Sequence, residues 1–381
     1  MLKTVDEGAG PELCILGDCD ALIFGRSPAD RTARQLAKAR SGKQKMADGA
    51  VLLVRADAVL DQPLIPAFAA EPGFVLVGDG PTGPKPLAAH VTTEDVEKAT
   101  AILTGRSQGG DGGGFSFRTP AELRLNFWKS LRKRETPYAM AVSAADAGRA
   151  EWRIFMGTYK GATDIVTKHL WPVPAFHATR WLAARGVTPN AVTTVGAILM
   201  MLAFWLFWRG DFALGLIAAW LMTFLDTVDG KLACTTMTSS TWGDIFDHGI
   251  DLVHPPFWYV AWALGLGAVG LAYSDDMFWL VIGAILGGYV LQRVMEGIAI
   301  KWLGLEIHIW RKIDTLFRQI TARRNPNLIL MTAGVVAGRP DLGLTAVAIW
   351  TVACLVLHGV QLIHALWVRR LGPLTSWMTK G

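Results

Sequence analysis

Six apolar segments separated by polar stretches occupy the second half of the chain. They lie at about residues 192–208, 212–226, 248–272, 277–300, 326–338 and 343–367. A helix needs roughly 20 apolar residues to cross the hydrocarbon core of a bilayer, and most of these segments approach or exceed that length. The pattern therefore predicts an all-α membrane domain of six transmembrane helices.

The first hundred residues alternate in a different way, with short apolar runs between polar helical stretches. The runs at 12–17, 50–55 and 74–80 predict buried strands, and residues 29–40 and 93–103 predict helices. Strands that alternate with helices are typical of an α/β fold. A small soluble α/β domain is therefore expected over residues 1–105, in front of the membrane domain.

Two further segments connect these domains. Residues 106–120 are rich in glycine and are expected to be a flexible linker. Residues 121–190 combine basic side chains with Trp and Pro, which favours a segment that lies in the headgroup layer of a membrane. The membrane domain then occupies residues 191–381.

Composition supports a membrane protein. Hydrophobic residues make up 51% of the chain, charged residues only 18%, and there are 16 Trp, a residue that gathers at membrane interfaces. The net charge of +5 accompanies apolar spans, so the basic residues indicate anionic lipid headgroups and not nucleic acid. The 4 Cys are scattered without metal-ligand spacing, which indicates reduced thiols.

Charge in the loops predicts the orientation. The loop between the fourth and fifth segments is basic, whereas Asp275 and Asp276 precede the fourth segment on the other side. Basic loops stay in the cytoplasm. Both termini are therefore expected on the cytoplasmic face of a cytoplasmic (inner) membrane. The acidic residues between the second and third segments are expected on the same face.

Four carboxylates cluster between the second and third segments. Asp226 and Asp229 are three residues apart, and Asp247 and Asp251 are four apart. These spacings put two side chains on one face of a helix. If both flanks are helical, the four carboxylates converge, and their hard oxygen atoms favour Mg²⁺ or Mn²⁺.

The spacing also carries a family resemblance. The pattern is Asp226-x2-Asp229-Gly230-x2-Ala233, followed by Gly243-x3-Asp247-x3-Asp251. It resembles the signature of the CDP-alcohol phosphotransferase family of membrane enzymes, D-x2-D-G-x2-A-R-x8-G-x3-D-x3-D, at every position except the Arg, which is Cys234. Thr188-Pro189-Asn190 before the first span is similar to the family as well, and is also typical of a helix start.

The resemblance implies roles for these residues. Asp226, Asp229 and Asp247 would hold one or two metal ions, and Asp251 would act as the catalytic base and border a second metal. Gly230, Ala233 and Gly243 would let the nucleotide approach the backbone. CMP would be the leaving group, and the family resemblance further implies a homodimer.

The departure at Cys234 removes a positive charge from the expected nucleotide site. Lys231 lies one helical turn earlier, on nearly the same face. We hypothesise that Lys231 binds the nucleotide in place of the missing Arg. The alternative is a catalytically inactive binding or scaffold protein.

Basic residues of the fourth and fifth segments suggest an acceptor site. Arg293 and Glu296 are a helical turn apart and either pair with each other or serve the acceptor. Arg323 and Arg324, with Lys301, are candidates to bind an anionic acceptor, because paired Arg side chains suit a phosphate.

The family uses several substrates, and the sequence favours one pair. We expect CDP-diacylglycerol as the donor and an inositol-phosphate-like polyol as the acceptor, in phospholipid synthesis. A CDP-polyol donor such as CDP-inositol, with a lipid or polyol-phosphate acceptor, is the alternative. A transporter is a third class, but transporters tend to carry internal repeats and the acidic cluster occurs once in the sequence.

The front domain bears a weaker resemblance to nucleotidyltransferase-type domains that are fused to some of these enzymes. It lacks a glycine-rich loop with Arg after its first strand, and offers Gly17-Asp18-Cys19-Asp20 instead. Asp57 follows the second predicted strand and is either a metal ligand or, more simply, a loop acid. A degenerate domain is expected.

Overall fold

The computed structural model describes most of the chain. The described residues are 2–6, 11–40, 49–106, 114–125, 127–128, 131–239 and 241–379, and the described side chains exclude 2–6, 127–128, 241–248 and 250–252. The chain forms two compact units. The first comprises 1–130, 134–158 and 234–237, and the second comprises 131–133, 159–233 and 238–381.

The first unit is an α/β structure. Its strands are β1 (Leu2–Asp6), β2 (Glu12–Leu16), β3 (Ala50–Arg55), β4 (Ala58–Leu60), β5 (Phe74–Gly80), β6 (Gly83–Thr92), β7 (Ser116–Arg118), β8 (Phe127–Trp128) and β10 (Ala139–Ala141). The two-residue strand β9 (Lys133–Arg134) has one residue in each unit. Its helices are α1 (Pro28–Arg40), α2 (Leu64–Ala70), α3 (Val96–Leu103) and α4 (Ala147–Gly157). The predicted α/β class is confirmed.

The main sheet is mixed. Its strand order is β1-β2-β3-β6-β5-β10-β4, with β7 paired to β5. The pairs β2 with β3 and β5 with β10 are parallel, whereas β3 with β6 and β5 with β6 are antiparallel. Strands β7 and β10 come from residues beyond 105, so the sheet takes strands from both sides of the predicted domain boundary.

Both faces of the sheet are covered, which explains why its strands read as continuous apolar runs. In β3, Leu52 and Val54 belong to the core cluster that includes Leu36 of α1 and Phe68 of α2. Val51 and Leu53 of the same strand belong to the cluster that includes Ile102 of α3. Alternate side chains of β3 therefore pack on opposite faces of the sheet.

The loop acid after β3 is part of an ion-pair network. The Asp57 carboxylate accepts hydrogen bonds from the Arg55 guanidinium, with an Nη2 to Oδ2 distance of 2.8 Å, and the Lys85 ammonium lies 3.7 Å away. These contacts support the reading of Asp57 as a loop acid rather than a metal ligand.

The second unit is helical. Its α-helices are α5 (Pro172–Ala184), α6 (Pro189–Arg209), α7 (Phe212–Thr235), α8 (Thr241–Gly265), α9 (Asp275–Ile298), α10 (Lys312–Phe317), α11 (Arg324–Val336) and α12 (Pro340–Arg369). Short 3₁₀ or π segments add turns at Val166–Leu170, Leu266–Val269, Ala299–Leu303 and Ile307–Ile309.

Four helices of the described chain have the length and apolar character that a membrane crossing requires: α6, α7, α9 with its π-helical extension, and α12. These four helices are candidate spans, and the prediction of six spans is not confirmed. The other two predicted segments are also helical. However, α11 has 13 residues and is only about 20 Å long, and the side chains in the first half of α8 lie outside the description.

The start of α6 explains the Thr-Pro-Asn stretch. The Thr188 side chain accepts a hydrogen bond from the Ala191 N–H at 3.3 Å, and Pro189 occupies the first helical position. The predicted helix start is confirmed. At the other end, Gly210 adopts a left-handed backbone with φ of 83° and closes the helix.

Aromatic side chains fill the centre of the helical unit. Trp262 of α8 is fully buried, with its ring centroid 4.4 Å from that of Phe212 and 4.9 Å from that of Phe207. Its indole N–H donates to the Pro340 carbonyl at 3.0 Å. The ring contacts join α6, α7 and α8, and the hydrogen bond connects α8 to the start of α12.

Helices α11 and α12 approach closely through two glycines. A Cβ atom built on Gly334 would lie 2.5 Å from the Gly343 Cα, which no side chain tolerates without movement of the backbone. Because lipid tails are as apolar as the side chains, close backbone packing of this kind is a main source of helix association in membranes.

We therefore predict that Gly334→Ala lowers the thermal unfolding midpoint of the detergent-purified protein. Overpacking of a core costs about 1–3 kcal/mol. The matched control is Gly283→Ala in α9, where no heavy atom lies within 4 Å of the new Cβ, and this variant should melt at or above the wild-type temperature. Tryptophan fluorescence during heating measures both, and equal midpoints for the two variants would contradict the packing argument.

Candidate active site

Both pairs of the acidic motif lie on helices. Asp226 and Asp229 lie on α7, and Asp247 and Asp251 lie on α8. The helical spacing within each pair is therefore confirmed. The side chains of Asp247 and Asp251 lie outside the description, so the convergence of all four carboxylates remains a prediction.

Asp229 is the most deeply buried described member of the motif, with 4% of its surface exposed. The Thr193 hydroxyl of α6 donates a hydrogen bond to Asp229 Oδ2 at 2.8 Å. The same hydroxyl also lies 3.1 Å from the Pro189 carbonyl, one helical turn earlier. Sequence reasoning missed Thr193, although it follows the Thr-Pro-Asn stretch by only three residues.

Asp226 meets a cation from a distant part of the chain. Its Oδ2 accepts a hydrogen bond from the guanidinium of Arg324, the first residue of α11. Both side chains are largely buried, with 17% and 15% of their surfaces exposed. The acidic motif therefore has a fixed positive charge beside it, supplied by α11.

The predicted nucleotide-binding residues occupy the last turns of α7 and the start of α8. A Cβ atom on Gly230 would meet no atom of the described residues within 4 Å, and Ala233 is half-buried. The Lys231 ammonium lies 3.5 Å from the ring centroid of Tyr159, and burial raises the pKa of this tyrosine. Gly243 lies on α8, and its surroundings are outside the description.

Lys231 thus has an aromatic neighbour that holds its charged end by a cation–π contact. Cys234, at the position where the family pattern has Arg, is a free and exposed thiol. The structure does not test whether Lys231 replaces the missing Arg. That substitution remains a hypothesis.

A second charged cluster surrounds Glu296 of α9. One carboxylate oxygen, Oε2, accepts a hydrogen bond from Arg293 Nη1 at 3.0 Å, so the predicted pairing of these two residues is confirmed. The other, Oε1, accepts from His308 Nε2 at 2.9 Å and from the Arg323 guanidinium. One carboxylate thus holds two arginines and a histidine.

The four predicted acceptor-binding residues separate into three environments. Arg293 and Arg323 share Glu296, whereas Arg324 contacts Asp226. Lys301 is exposed on the π-helical turn that ends α9. Arg323 and Arg324 are neighbours in sequence, so together they link the Glu296 carboxylate to the Asp226 carboxylate.

Sequence reasoning missed Arg318 as a member of this region. Its guanidinium nitrogens Nε and Nη1 are buried and have no hydrogen-bond partner within the described part of the chain. Burial, and then the nearby Arg323 guanidinium, lower the pKa of Arg318 well below its usual range. The Glu296 and Asp164 carboxylates offset part of this effect. Buried guanidinium nitrogens without hydrogen bonds are nevertheless costly, and an anion bound beside them would reduce that cost.

Comparison with known proteins agrees with the acidic motif. Residues 186–322 match the family model for CDP-alcohol phosphatidyltransferase. This part of the chain is therefore similar to a CDP-alcohol phosphatidyltransferase domain. The match includes α7, the acidic motif and the Glu296 cluster up to Arg318.

Two curated relatives share part of this region. The chain is 33% identical over 108 residues to an archaetidylinositol phosphate synthase of Pyrococcus horikoshii, covering 28% of this chain and 55% of the relative. It is 30% identical over 131 residues to a phosphatidylinositol phosphate synthase of Streptomyces avermitilis, covering 33% of this chain and 52% of the relative. The chain thus spans about half the length of the curated relatives it matches.

The Thr193 contact leads to a prediction about stability. Thr193→Val keeps the shape of the side chain but removes a hydrogen bond to a buried carboxylate, and hydrogen bonds to charged groups contribute about 1.5–3 kcal/mol. We expect a lower thermal midpoint in a fluorescence melt of the purified protein. Thr193→Ser retains the hydroxyl and should melt close to the wild type. A Val variant as stable as the Ser variant would show that this hydrogen bond contributes nothing measurable.

Proposed function

We propose that this protein transfers a substituted phosphate from a CDP-alcohol, CDP-diacylglycerol, to a hydroxyl of an inositol-phosphate-like polyol and releases CMP. The observation that carries the proposal is the half-buried Arg318, whose Nε and Nη1 are buried without a hydrogen-bond partner in the described part of the chain, next to Arg323 in the helical unit. The acidic motif supports the transfer, and the buried arginines support an acceptor with a phosphate. The names of both relatives, which are inositol phosphate lipid synthases, agree with this choice.

The acidic residues fit a hard divalent cation. Asp226 and Asp229 present carboxylate oxygens from one turn of α7, and Asp229 Oδ2 is held by a neutral hydroxyl. We propose that they bind one or two Mg²⁺ or Mn²⁺ ions together with Asp247 and Asp251. The metal would neutralise oxygens of the donor pyrophosphate.

Asp251 is proposed to act as the base. Its carboxylate takes the proton of the acceptor hydroxyl, and the hydroxyl oxygen forms a bond to the phosphorus that carries the diacylglycerol. The bond between this phosphorus and the bridging oxygen breaks, and CMP leaves with that oxygen and its electron pair. Protonation of Asp251 and the charge on CMP balance the step.

The donor nucleotide is proposed to lie against the end of α7. Gly230 borders open space, which leaves room for phosphates to approach the backbone. Ala233 and Gly243 are small for the same reason, and Lys231 supplies the positive charge that Cys234 lacks. Arg324 offsets part of the negative charge of the motif through Asp226.

The acceptor phosphate is proposed to bind beside Arg318 and Arg323. Arg293 and Lys301 provide further positive charge in the same part of the unit, although Lys301 is exposed. Guanidinium groups suit phosphate because their fork of N–H donors matches two oxygen atoms. The basic loop that contains Arg318 is proposed to face the cytoplasm, where a water-soluble polyol phosphate is available.

Release of CMP from the detergent-purified protein tests the reaction. The assay contains CDP-diacylglycerol, Mg²⁺ or Mn²⁺, and a panel of polyols and polyol phosphates. We expect release that depends on an inositol phosphate and falls by at least 100-fold in Asp251→Asn, because the amide cannot accept the proton. If no acceptor led to release of CMP, the proposed donor would be contradicted. Release without any acceptor would indicate hydrolysis instead of transfer.

The acceptor site leads to a separate prediction. Arg318→Gln removes the buried charge, and we expect it to raise the KM for inositol phosphate about 10- to 100-fold, the range that corresponds to a lost charged hydrogen bond. The KM for CDP-diacylglycerol should stay within twofold. Lys312→Gln on α10 is the matched control, since Lys312 is exposed and belongs to the same basic loop. Equal acceptor KM values for both variants would show that Arg318 does not bind the acceptor.

A further inference from the structure

Glu296 is the centre of a buried network that joins three elements. Its carboxylate, 18% exposed, contacts Arg293 on its own helix, His308 on the 3₁₀ turn Ile307–Ile309, and Arg323 immediately before α11. Each contact comes from a different segment of the chain. Arg323 is the member of this set that lies beside Arg318, whose Nε and Nη1 have no hydrogen-bond partner in the described part of the chain.

The charges of this network do not cancel. Three arginines, at positions 293, 318 and 323, lie near two carboxylates, those of Glu296 and Asp164, and each additional guanidinium raises the cost of the others. A network that served only to hold helices together would be expected to balance its charge. The excess is positive, and it matches a phosphate group.

His308 contributes a neutral hydrogen bond to this network. Its side chain is 3% exposed, and burial lowers the pKa of His308 to about 3, although the hydrogen bond to Glu296 raises it. The imidazole is therefore neutral at physiological pH and carries one N–H. Because a carboxylate only accepts hydrogen bonds, the proton lies on Nε2.

The turn that carries His308 is itself held in place. The Thr315 hydroxyl donates to the His308 carbonyl at 2.8 Å, and it accepts a hydrogen bond from the Trp377 indole N–H at 2.9 Å. The Ser376 hydroxyl donates to the carbonyl of Ile309. The segment that follows α12 thus fixes the backbone of the turn.

We propose that Glu296, oriented by its hydrogen bond with His308, is a positioning residue that fixes the guanidinium of Arg323 for the phosphate of the acceptor. Oε1 of Glu296 accepts from both His308 and Arg323, so the histidine sets where this oxygen lies and the oxygen sets where the guanidinium lies. Arg323 then keeps its remaining N–H groups for an anion. The inference rests on the proposed function, because it assumes a phosphorylated acceptor at this site.

The experiment compares His308→Leu with His308→Gln in the full-length protein. Leu removes the N–H donor, whereas the Gln side chain carries an N–H at nearly the position of Nε2. We expect Leu to raise the KM for inositol phosphate 5- to 50-fold, with kcat within threefold and the KM for CDP-diacylglycerol unchanged. Gln should restore the acceptor KM to within about threefold of the wild type.

Two results would overturn the inference. One is an acceptor KM in His308→Leu that equals the wild-type value. The other is a Gln variant as impaired as Leu, since a role in packing alone would treat the two replacements alike. If Leu prevents folding, Trp377→Phe provides the second variant, because it removes only the N–H that holds Thr315, and the acceptor KM should rise at least twofold with kcat unchanged.

Binding of inositol phosphate, measured by isothermal titration calorimetry, separates this inference from the proposed function. Wild-type protein that binds inositol phosphate but releases no CMP would contradict the proposed reaction, and weaker binding by the Leu variant would still support the positioning role. Wild-type protein that releases CMP while the Leu variant binds inositol phosphate equally well would contradict the positioning role alone. Wild-type protein that binds no inositol phosphate would overturn both.

Discussion

Charges placed among apolar helices need partners, because neither lipid nor packed side chains can solvate them. Three carboxylates of the helical unit have such partners. Asp226 meets a guanidinium from α11, Asp229 meets a hydroxyl from α6, and Glu296 meets two arginines and a neutral histidine. Each partner except Arg293 comes from a different element, so the same contacts that neutralise charge also hold these elements together.

The exception to this constraint is informative. Arg318 buries guanidinium nitrogens that have no partner in the described part of the chain, next to a second arginine. Unfavourable arrangements of this kind are costly and are concentrated at sites that bind ligands. Arg318 thus differs from the three carboxylates, each of which accepts at least one hydrogen bond from a described side chain.

Local sequence patterns predicted the elements that lie in apolar runs. Strands β3 and β5 have the predicted bounds, and α1 begins within one residue of its prediction. Strand β6 was missed because it starts Gly83-Pro84-Lys85-Pro86, a composition typical of a loop, and becomes apolar only near its end. It forms a strand because β3 and β5 flank it on both sides and pair with its backbone.

The fifth apolar segment shows the same limit. A run of apolar residues indicated a span, but α11 is too short to cross a bilayer unaided, and it packs against α12 through Gly334 and Gly343 instead. Hydropathy reports the environment of side chains. It does not distinguish lipid from the neighbouring helices.

The sequence by itself determined that the two carboxylates of each acidic pair share one helical face, because spacings of three and four residues have this effect whatever the rest of the chain does. It also determined the start of α6, since Thr188 and Pro189 act within a single turn. Only the tertiary structure decided which carboxylate meets which cation. Arg323 and Arg324 are neighbours in sequence, yet one lies on Glu296 and the other on Asp226, 98 residues away. Such choices depend on how whole helices pack, and no local pattern encodes them.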